Sequence, residues 1–327
     1  MNDSAASTVN RWDRETDLLV VGAGPAGMTA ALVASLEGLD VVLCEKSQQV
    51  GGTGATSAGT LWIPENRPST DAGFGDTRAA AARYLDALIG DRGDADIRRT
   101  FLEDGPAVID YLMEKTEVQF VPCGRHPDYR NNLPGSAVEG RAIIPVNFDG
   151  RRLGADFERV RPPIDDFMVM GGMMVGKVDI DRLVNRYKSA GAFFHSASIV
   201  LRYLIDRLGH KRGTRLVMGN ALVARLFYSL RQRGVPILFG RPLGELIRDG
   251  DRVIGAILNS DGAPQRIRAR RGVVLATGGI AHNADYRSRF MPSPTPPHSL
   301  AASDNQGDGL RIAEAVGARL EADGNES

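Results

Sequence analysis

An α/β fold, a parallel sheet flanked by helices with an added antiparallel β-meander, is what this sequence of 327 residues predicts. Three observations carry that expectation. "DLLVVGAG" (17–24) is a short apolar run closing on glycines, the pattern of a strand buried on both faces of a parallel sheet. "PAGMTAALVASLEG" follows at helical spacing and leads into a second β-branched run, "DVVLCEK" (40–46), which completes a βαβ unit. After Gly234 the pattern turns to four strand-like runs in close succession: "VPILFG", "RVIGAILN", "QRIRA" and "GVVLATGG".

In chain order, residues 1 to about 15 read as a disordered leader. In the first helix Met28, Ala31, Leu32 and Leu36 share one face, and Gly38 stops it. Ala79 to Ile89 reads as a helix ended by Gly90, and Pro106 to Lys115 as another that opens on its proline. "TEVQFVP" reads as a strand. From Gly124 to Gly176 the chain is rich in Gly, Pro and Arg without periodicity, which predicts long loops of the kind that carry function. Helices return between Asp179 and Leu208, then from Ala221 to Arg233. "DGDR" (249–252) joins two strands as a hairpin turn. Near the end, Leu310, Ile312, Ala313 and Val316 mark an amphipathic helix. Residues 16–327 are therefore expected to form one domain with a loop-rich and helical insertion at about 77–210.

Forty basic residues balance forty acidic ones, so neither a nucleic acid nor an anionic membrane surface is an expected partner. Cys44 and Cys123 stand alone, without the spacing of a zinc site or the density of a disulfide scaffold. No metal site is expected, and the usage fits a reducing cytoplasm. "MNDSAASTVNRWDRET" has neither a secretory pattern nor a transmembrane span, so the expected location is cytoplasmic.

"GAGPAG" places Gly22, Gly24 and Gly27 in GxGxxG spacing directly after a strand, with Ala23, Pro25 and Ala26 between them. The first glycine permits a tight turn, the second lets a pyrophosphate approach the backbone, and the third allows close helix–strand packing. The helix N-terminus then offers unpaired N–H groups and its positive dipole end. Glu45 ends the second strand eighteen positions after Gly27, close to the roughly twenty expected for a ribose-binding carboxylate. Lys46 stands beside it. A small and hydroxyl-rich stretch, "GGTGATSAGT", then brings Gly52, Thr53, Thr56, Ser57, Ala58 and Gly59 within reach of a large, flat, polar ligand. "VVLATGG" contributes Ala276, Thr277, Gly278 and Gly279 at the end of a buried strand. Histidine 282, beside Asn283, reads as a loop residue.

Together "VVGAGPAG", "VVLCEK", "GGTGATSAGTLWIP", "GVPILFG", "RVIGA", "VVLATGG", "HNADYR" and "GDGLRIAEAVGA" resemble the flavoprotein family of fumarate reductases, succinate dehydrogenase flavoproteins and 3-ketosteroid dehydrogenases. The resemblance runs along nearly the whole chain from Asp17. "TLWIPEN", "PDYRNNLPG", "GRAIIPVNFDGR" and "MVMGGMMVG" are most similar to the 3-ketosteroid dehydrogenase branch.

The resemblance implies a Rossmann-like FAD-binding domain, incomplete at its C-terminus, in which Leu243, Asn283 and Asp308 join the cofactor-binding set. It implies FAD-dependent oxidation of a CH–CH group beside a keto group, by proton abstraction and hydride transfer to the flavin. The substrate would be a hydrophobic ketone such as a 3-ketosteroid. Tyr129 matches a tyrosine lining the ketosteroid site and is the catalytic candidate. "GGTGATSAG" lacks the histidine that attaches FAD in the succinate dehydrogenase branch, so non-covalent FAD is expected. Family members continue into a substrate-capping segment and a closing glycine-rich stretch, neither of which follows here; a second chain supplying that half is one expectation. Two further readings stay open: a fumarate reductase-like flavoprotein, and a fragment or subunit that binds FAD or a partner without activity.

Overall fold

In the computed structural model, which describes residues 11–320, the βαβ unit is formed by β1 (Arg14–Val21), α1 (Pro25–Leu36) and β2 (Val41–Glu45). Strand β1 starts inside the interval expected to be leader. Arg14–Thr16 pair with Ile267–Ala269, and Asp13 N donates to the Arg266 carbonyl, which draws this segment into the sheet. The rest of the expected leader, residues 1–10, lies outside the described residues.

Four later strands complete the sheet: β3 (Ile237–Phe239), β4 (Leu243–Asp249), β5 (Arg252–Leu258) and β6 (Gln265–Leu275). Its order is β3-β2-β1-β6-β5-β4. The pairs β3–β2, β2–β1 and β1–β6 are parallel, while β6–β5 and β5–β4 are antiparallel. Strand β6 reads in the sequence as two runs, yet it is one continuous strand. Residues 265–268 pair with β5, and residues 267–275 lie along β1. The hairpin at Asp249–Arg252 is present, but the strand entering it is β4, which sequence patterning passes over because Glu245, Arg248 and Asp249 dilute its apolar signal.

Burial follows the parallel pairing. Leu19 and Val20 of β1 and Val42, Leu43 and Cys44 of β2 are fully buried, and Met28, Ala31 and Leu32 of α1 close the adjacent layer. Each such valine, leucine or methionine side chain removed from water contributes about 1.5–3 kcal/mol before entropy is charged against it. Gly38 follows α1 with a left-handed φ of 81°, the conformation that ends helices at lowest steric cost.

The chain divides into two compact units. The first holds this sheet and its helices: the described residues through Thr53, Glu158–Arg161, and from Leu226 onward. The second comprises Gly54–Phe157 and Pro162–Arg225. Within it, Leu61–Trp62, Ala142–Pro145 and Phe120–Pro122 form a small antiparallel sheet, so the strand expected over 116–122 is confined to its last three residues. The helix expected from Ala79 is present as Arg78–Ile89, with Gly90 as its C-cap. The helix expected to open at Pro106 instead runs over Ala95–Lys115 with that proline inside. Asp94 caps it, accepting from the N–H groups of Asp96 and Ile97, and this start signal outweighs the interior proline. The helices Arg67–Asp71, Lys177–Val184 and Ala190–Asp206 also lie in this unit, and Met218–Gln232 begins in it. No helix among the described residues is long and apolar enough to cross a membrane.

Candidate cofactor site

In the first unit, the turn between β1 and α1 is shaped by contacts that only glycine tolerates. Gly22 has φ 101°, and a Cβ on it would meet the Ala276 carbonyl oxygen at 2.4 Å. A Cβ on Gly27 would lie 1.8 Å from the Gly22 carbonyl oxygen. Gly24 differs: a Cβ there meets no protein atom within 4 Å. Two of the glycines thus serve internal packing, and the third borders open space in front of a helix. Gly24 is also the N-cap of α1, without a side-chain cap and with no acidic residue in the first turn. The helix therefore presents its N-terminal N–H groups and positive dipole end uncapped, as a pyrophosphate requires.

Glu45 is held at the end of β2 by two backbone donors. Ala23 N donates to Oε2 at 2.7 Å and Ser47 N to Oε1 at 2.9 Å. A carboxylate oxygen accepts more than one bond, so the group is oriented and retains capacity for hydroxyl donors. Gly51 N donates to the Ala23 carbonyl, and Gly52, at φ 45°, brings a prospective Cβ within 3.9 Å of the Gly24 Cα. The dinucleotide turn, the carboxylate and the start of the hydroxyl-rich stretch are therefore one cluster.

The segment after β6 joins the same unit through Ala276 N, which donates to the Val21 carbonyl. Gly278, at φ 77°, leaves room for the Asn305 side chain, whose Oδ1 would lie 2.2 Å from a Cβ there. Asn305 Nδ2 donates to Thr53 Oγ1 at 2.7 Å, and Gly307 N donates to the Gly279 carbonyl. Thr277 packs its hydroxyl where Gly309 has no side chain. Lys46 forms an ion pair with Asp308 across 262 residues of sequence. Asn305 is the residue that sequence reasoning misses; its signal, an amide two residues before "GDG", is too common to stand out.

Two expected cofactor residues have other work. The Leu243 side chain is 8% exposed and packs in the core with Leu19, Val42 and Cys44. Asn283 caps the helix Ala284–Phe290, accepting from Tyr286 N while its Nδ2 donates to the Gln306 carbonyl. Their side chains are thereby committed to packing and capping.

Thr56, Ser57, Ala58 and Gly59 belong to the second unit. There the Ser57 hydroxyl donates to the Gly54 carbonyl and accepts from Gly59 N, so it braces its own loop. Gly59, at φ 69°, packs on the backbone of Gly219, and the fully buried Asn220 donates to the Ala55 carbonyl. Gly219 and Asn220 are a second pair the sequence reading passes over.

Tyr129 also lies in the second unit and is 94% exposed, with its ring 6.4 Å from that of His126. The loop carrying it is fixed one residue earlier. Asp128 Oδ2 accepts from Arg141 Nη1 at 2.7 Å and from Ala137 N, and Oδ1 accepts from Trp62 Nε1. Among the described residues no group of three or more His, Cys, Asp or Glu could hold a metal ion.

Residues 17–326 match the family model described as "FAD binding domain". The chain is 35% identical to 4-oxocyclohex-2-ene-1-carboxylate 5-dehydrogenase of Sinomonas cyclohexanicum, over 93% of this chain and 52% of the relative. It is 36% identical to 3-oxosteroid 1-dehydrogenase of Mycolicibacterium smegmatis, over 94% of this chain and 54% of that one. The crystal structure of 3-ketosteroid delta1-dehydrogenase from Sterolibacterium denitrificans, in complex with 1,4-androstadiene-3,17-dione, superposes with a TM-score of 0.86 at 33% identity, covering 94% of this chain and 56% of that one. The chain thus spans about half the length of the curated relatives it matches.

Proposed function

This chain belongs to the FAD-binding domain family, and from that premise we propose that it is the flavin-binding part of a dehydrogenase that introduces a C=C bond beside a ring ketone. The observation that carries the cofactor half is the contrast among the three glycines. Gly22 and Gly27 are filled against protein, while Gly24 faces open space at an uncapped helix N-terminus. The two curated relatives support the substrate half, since both are named for removing hydrogen from a ring that bears an oxo group.

When bound, FAD supplies the two-electron acceptor of the oxidation. The residues of this chain then have separate tasks. The N–H groups of the first turn of α1, which starts after Gly24, would hold the pyrophosphate. The Glu45 carboxylate, already oriented by Ala23 and Ser47, accepts from ribose hydroxyls and rejects a ribose phosphate. Lys46 and Asp308 join the cofactor-facing segment of the first unit as a pair. Tyr129 is the proposed proton-transfer group, on a loop that Arg141 and Asp128 hold in place. Attachment of FAD is proposed to be non-covalent, since residues 51–60 contain no histidine.

The test is anaerobic mixing of the purified, FAD-loaded chain with a 3-oxosteroid, followed at the flavin absorbance band, with re-oxidation of the reduced flavin by fumarate as the competing assay. Bleaching by the ketone supports the proposal. A chain that binds FAD yet responds to neither compound would reduce the reading to cofactor binding alone. Acid precipitation that leaves the yellow colour with the protein would overturn non-covalent attachment.

A further inference from the structure

Between Phe157 and Pro162 the chain leaves the second unit for four residues, Glu158–Arg161, which belong to the first. They line up with the segment that follows Glu45. Val50 and Val160, both buried, form a parallel bridge. Val50 N donates to the Arg159 carbonyl, and Arg161 N donates to the Val50 carbonyl. Val50 leads directly into Gly51, whose N–H donates to the Ala23 carbonyl of the dinucleotide turn. The excursion therefore braces the backbone beside that turn.

Its last residue reaches further. The Arg161 side chain is 17% exposed and pairs through Nη2 with Asp304. Asp304 adjoins Asn305, which donates to Thr53 Oγ1, and Ala302 N donates to the same oxygen. The pair thus closes a ring of contacts between residues 50–53 and residues 302–305. The Arg161 Nε is buried, and among the described residues no acceptor meets it. A charged donor kept from water without an acceptor is costly, and such an atom calls for a partner. Arg202 and Arg266 carry unpartnered Nε atoms as well. Arg202, however, belongs to the second unit, and Arg266 lies at the end of β6 opposite Leu275, the residue paired with Val21 before the glycine turn.

Position identifies the partner. Glu45 is set for the ribose and the N-terminus of α1 for the pyrophosphate, while Gly52 lies against Gly24 with Thr53 beyond it. Along this path the site runs from the adenosine end past the pyrophosphate, so Thr53, Asn305 and Arg161 border the riboflavin half. That half offers ribityl hydroxyls and ring carbonyls, uncharged acceptors that suit a guanidinium whose charge Asp304 already balances. We propose that Arg161 is a further cofactor-binding residue, held by Asp304 and donating from Nε to the riboflavin half of bound FAD. The proposal rests on the reading of the Gly24 turn as an FAD site.

Calorimetric titration of the full chain with FAD and, separately, with ADP tests it. Arg161→Lys keeps a cation for Asp304 but puts a methylene group where Nε stood. Its affinity for FAD should fall about tenfold, as the loss of one hydrogen bond to a charged donor implies. Its affinity for ADP, which lacks the riboflavin half, should match the parent's, and that match also shows the variant to be folded. Heteronuclear NMR of the arginine Nε–H groups gives a readout on the unmodified chain. The Arg161 signal should move when FAD is added and stay in place when ADP is. Equal FAD affinity in the parent and Arg161→Lys would overturn the proposal, and so would an Arg161 signal that FAD leaves unmoved. Equal losses for FAD and ADP would assign Arg161 to the fold instead. A parent chain that binds ADP but not FAD, or neither, would overturn the FAD reading itself and this proposal with it.

Discussion

Gly22 and Gly27 approach so closely that a Cβ on Gly27 would lie 1.8 Å from the Gly22 carbonyl oxygen. No side chain fits that gap, so the pair fixes the angle at which α1 leaves the end of β1, and with it the direction of the helix N-terminus.

Gly27→Ala must therefore displace α1 or the turn. Overpacking of this kind costs about 1–3 kcal/mol, occasionally more. Urea unfolding of the FAD-free variant should show a lower midpoint than the parent with a similar slope. An unchanged midpoint would mean that the turn yields without strain.

Arg141 is 2% exposed and bridges Asp128 and Asp76, which are 2% and 3% exposed. Its guanidinium also lies over the Trp62 and Tyr84 rings. Replacing it by methionine leaves two buried carboxylates without their cation, which should destabilise the protein by about 3–5 kcal/mol. Replacing all three charged residues by apolar ones should cost much less. If Arg141→Met alone proves neutral in thermal unfolding, the pair does not fix the Tyr129 loop.

Asp179 gives a pH dependence with a defined sign. Burial pushes its carboxyl up, but the Gly176 N–H, Arg215 and His195 outweigh burial and hold it below the ordinary aspartate value. A depressed folded-state pKa contributes stability above the unfolded value that is lost as pH falls through the folded one. Asp179→Asn should cost about 2–3 kcal/mol at neutral pH, and the gap to the parent should close below about pH 4. A gap that stays constant down to pH 3 would remove the carboxylate's charge from the account.

Cys44 is fully buried on β2, and burial pushes its thiol up to about 12. At pH 8 only about one thiol in ten thousand would be ionised, apart from the lack of access. A thiol reagent should leave Cys44 unmodified in the native protein and react in denaturant. Stoichiometric native labelling of Cys44 would show that β2 opens readily.

Much of the first unit was legible in the sequence, because a βαβ turn is a local structure with a local signal. Gly22, Gly24, Gly27 and Glu45 fall within twenty-four consecutive positions, and each sits where its spacing implies. What was not legible depends on contacts between distant segments. The Lys46–Asp308 pair and the Asn305 bond to Thr53 each span about 250 residues or more and leave no periodic trace. Only the resemblance points to Leu243 and Asn283 as cofactor residues, and their side chains lie in the core and at a helix cap. Pro106 misleads for a physical reason: its preference for a first helical turn competes with the stronger start signal of the N-cap Asp94, twelve residues earlier.

The central claim is that the open space at Gly24 is the cofactor's. A Cβ there touches no protein atom within 4 Å, so Gly24→Ala should keep the parent's unfolding midpoint when FAD is absent. Calorimetric titration of FAD into the two proteins is the direct measurement. The account predicts saturable binding to the parent and affinity at least tenfold weaker for Gly24→Ala, a loss of about 1.4 kcal/mol. Equal affinity for both proteins, with both folded, would contradict it.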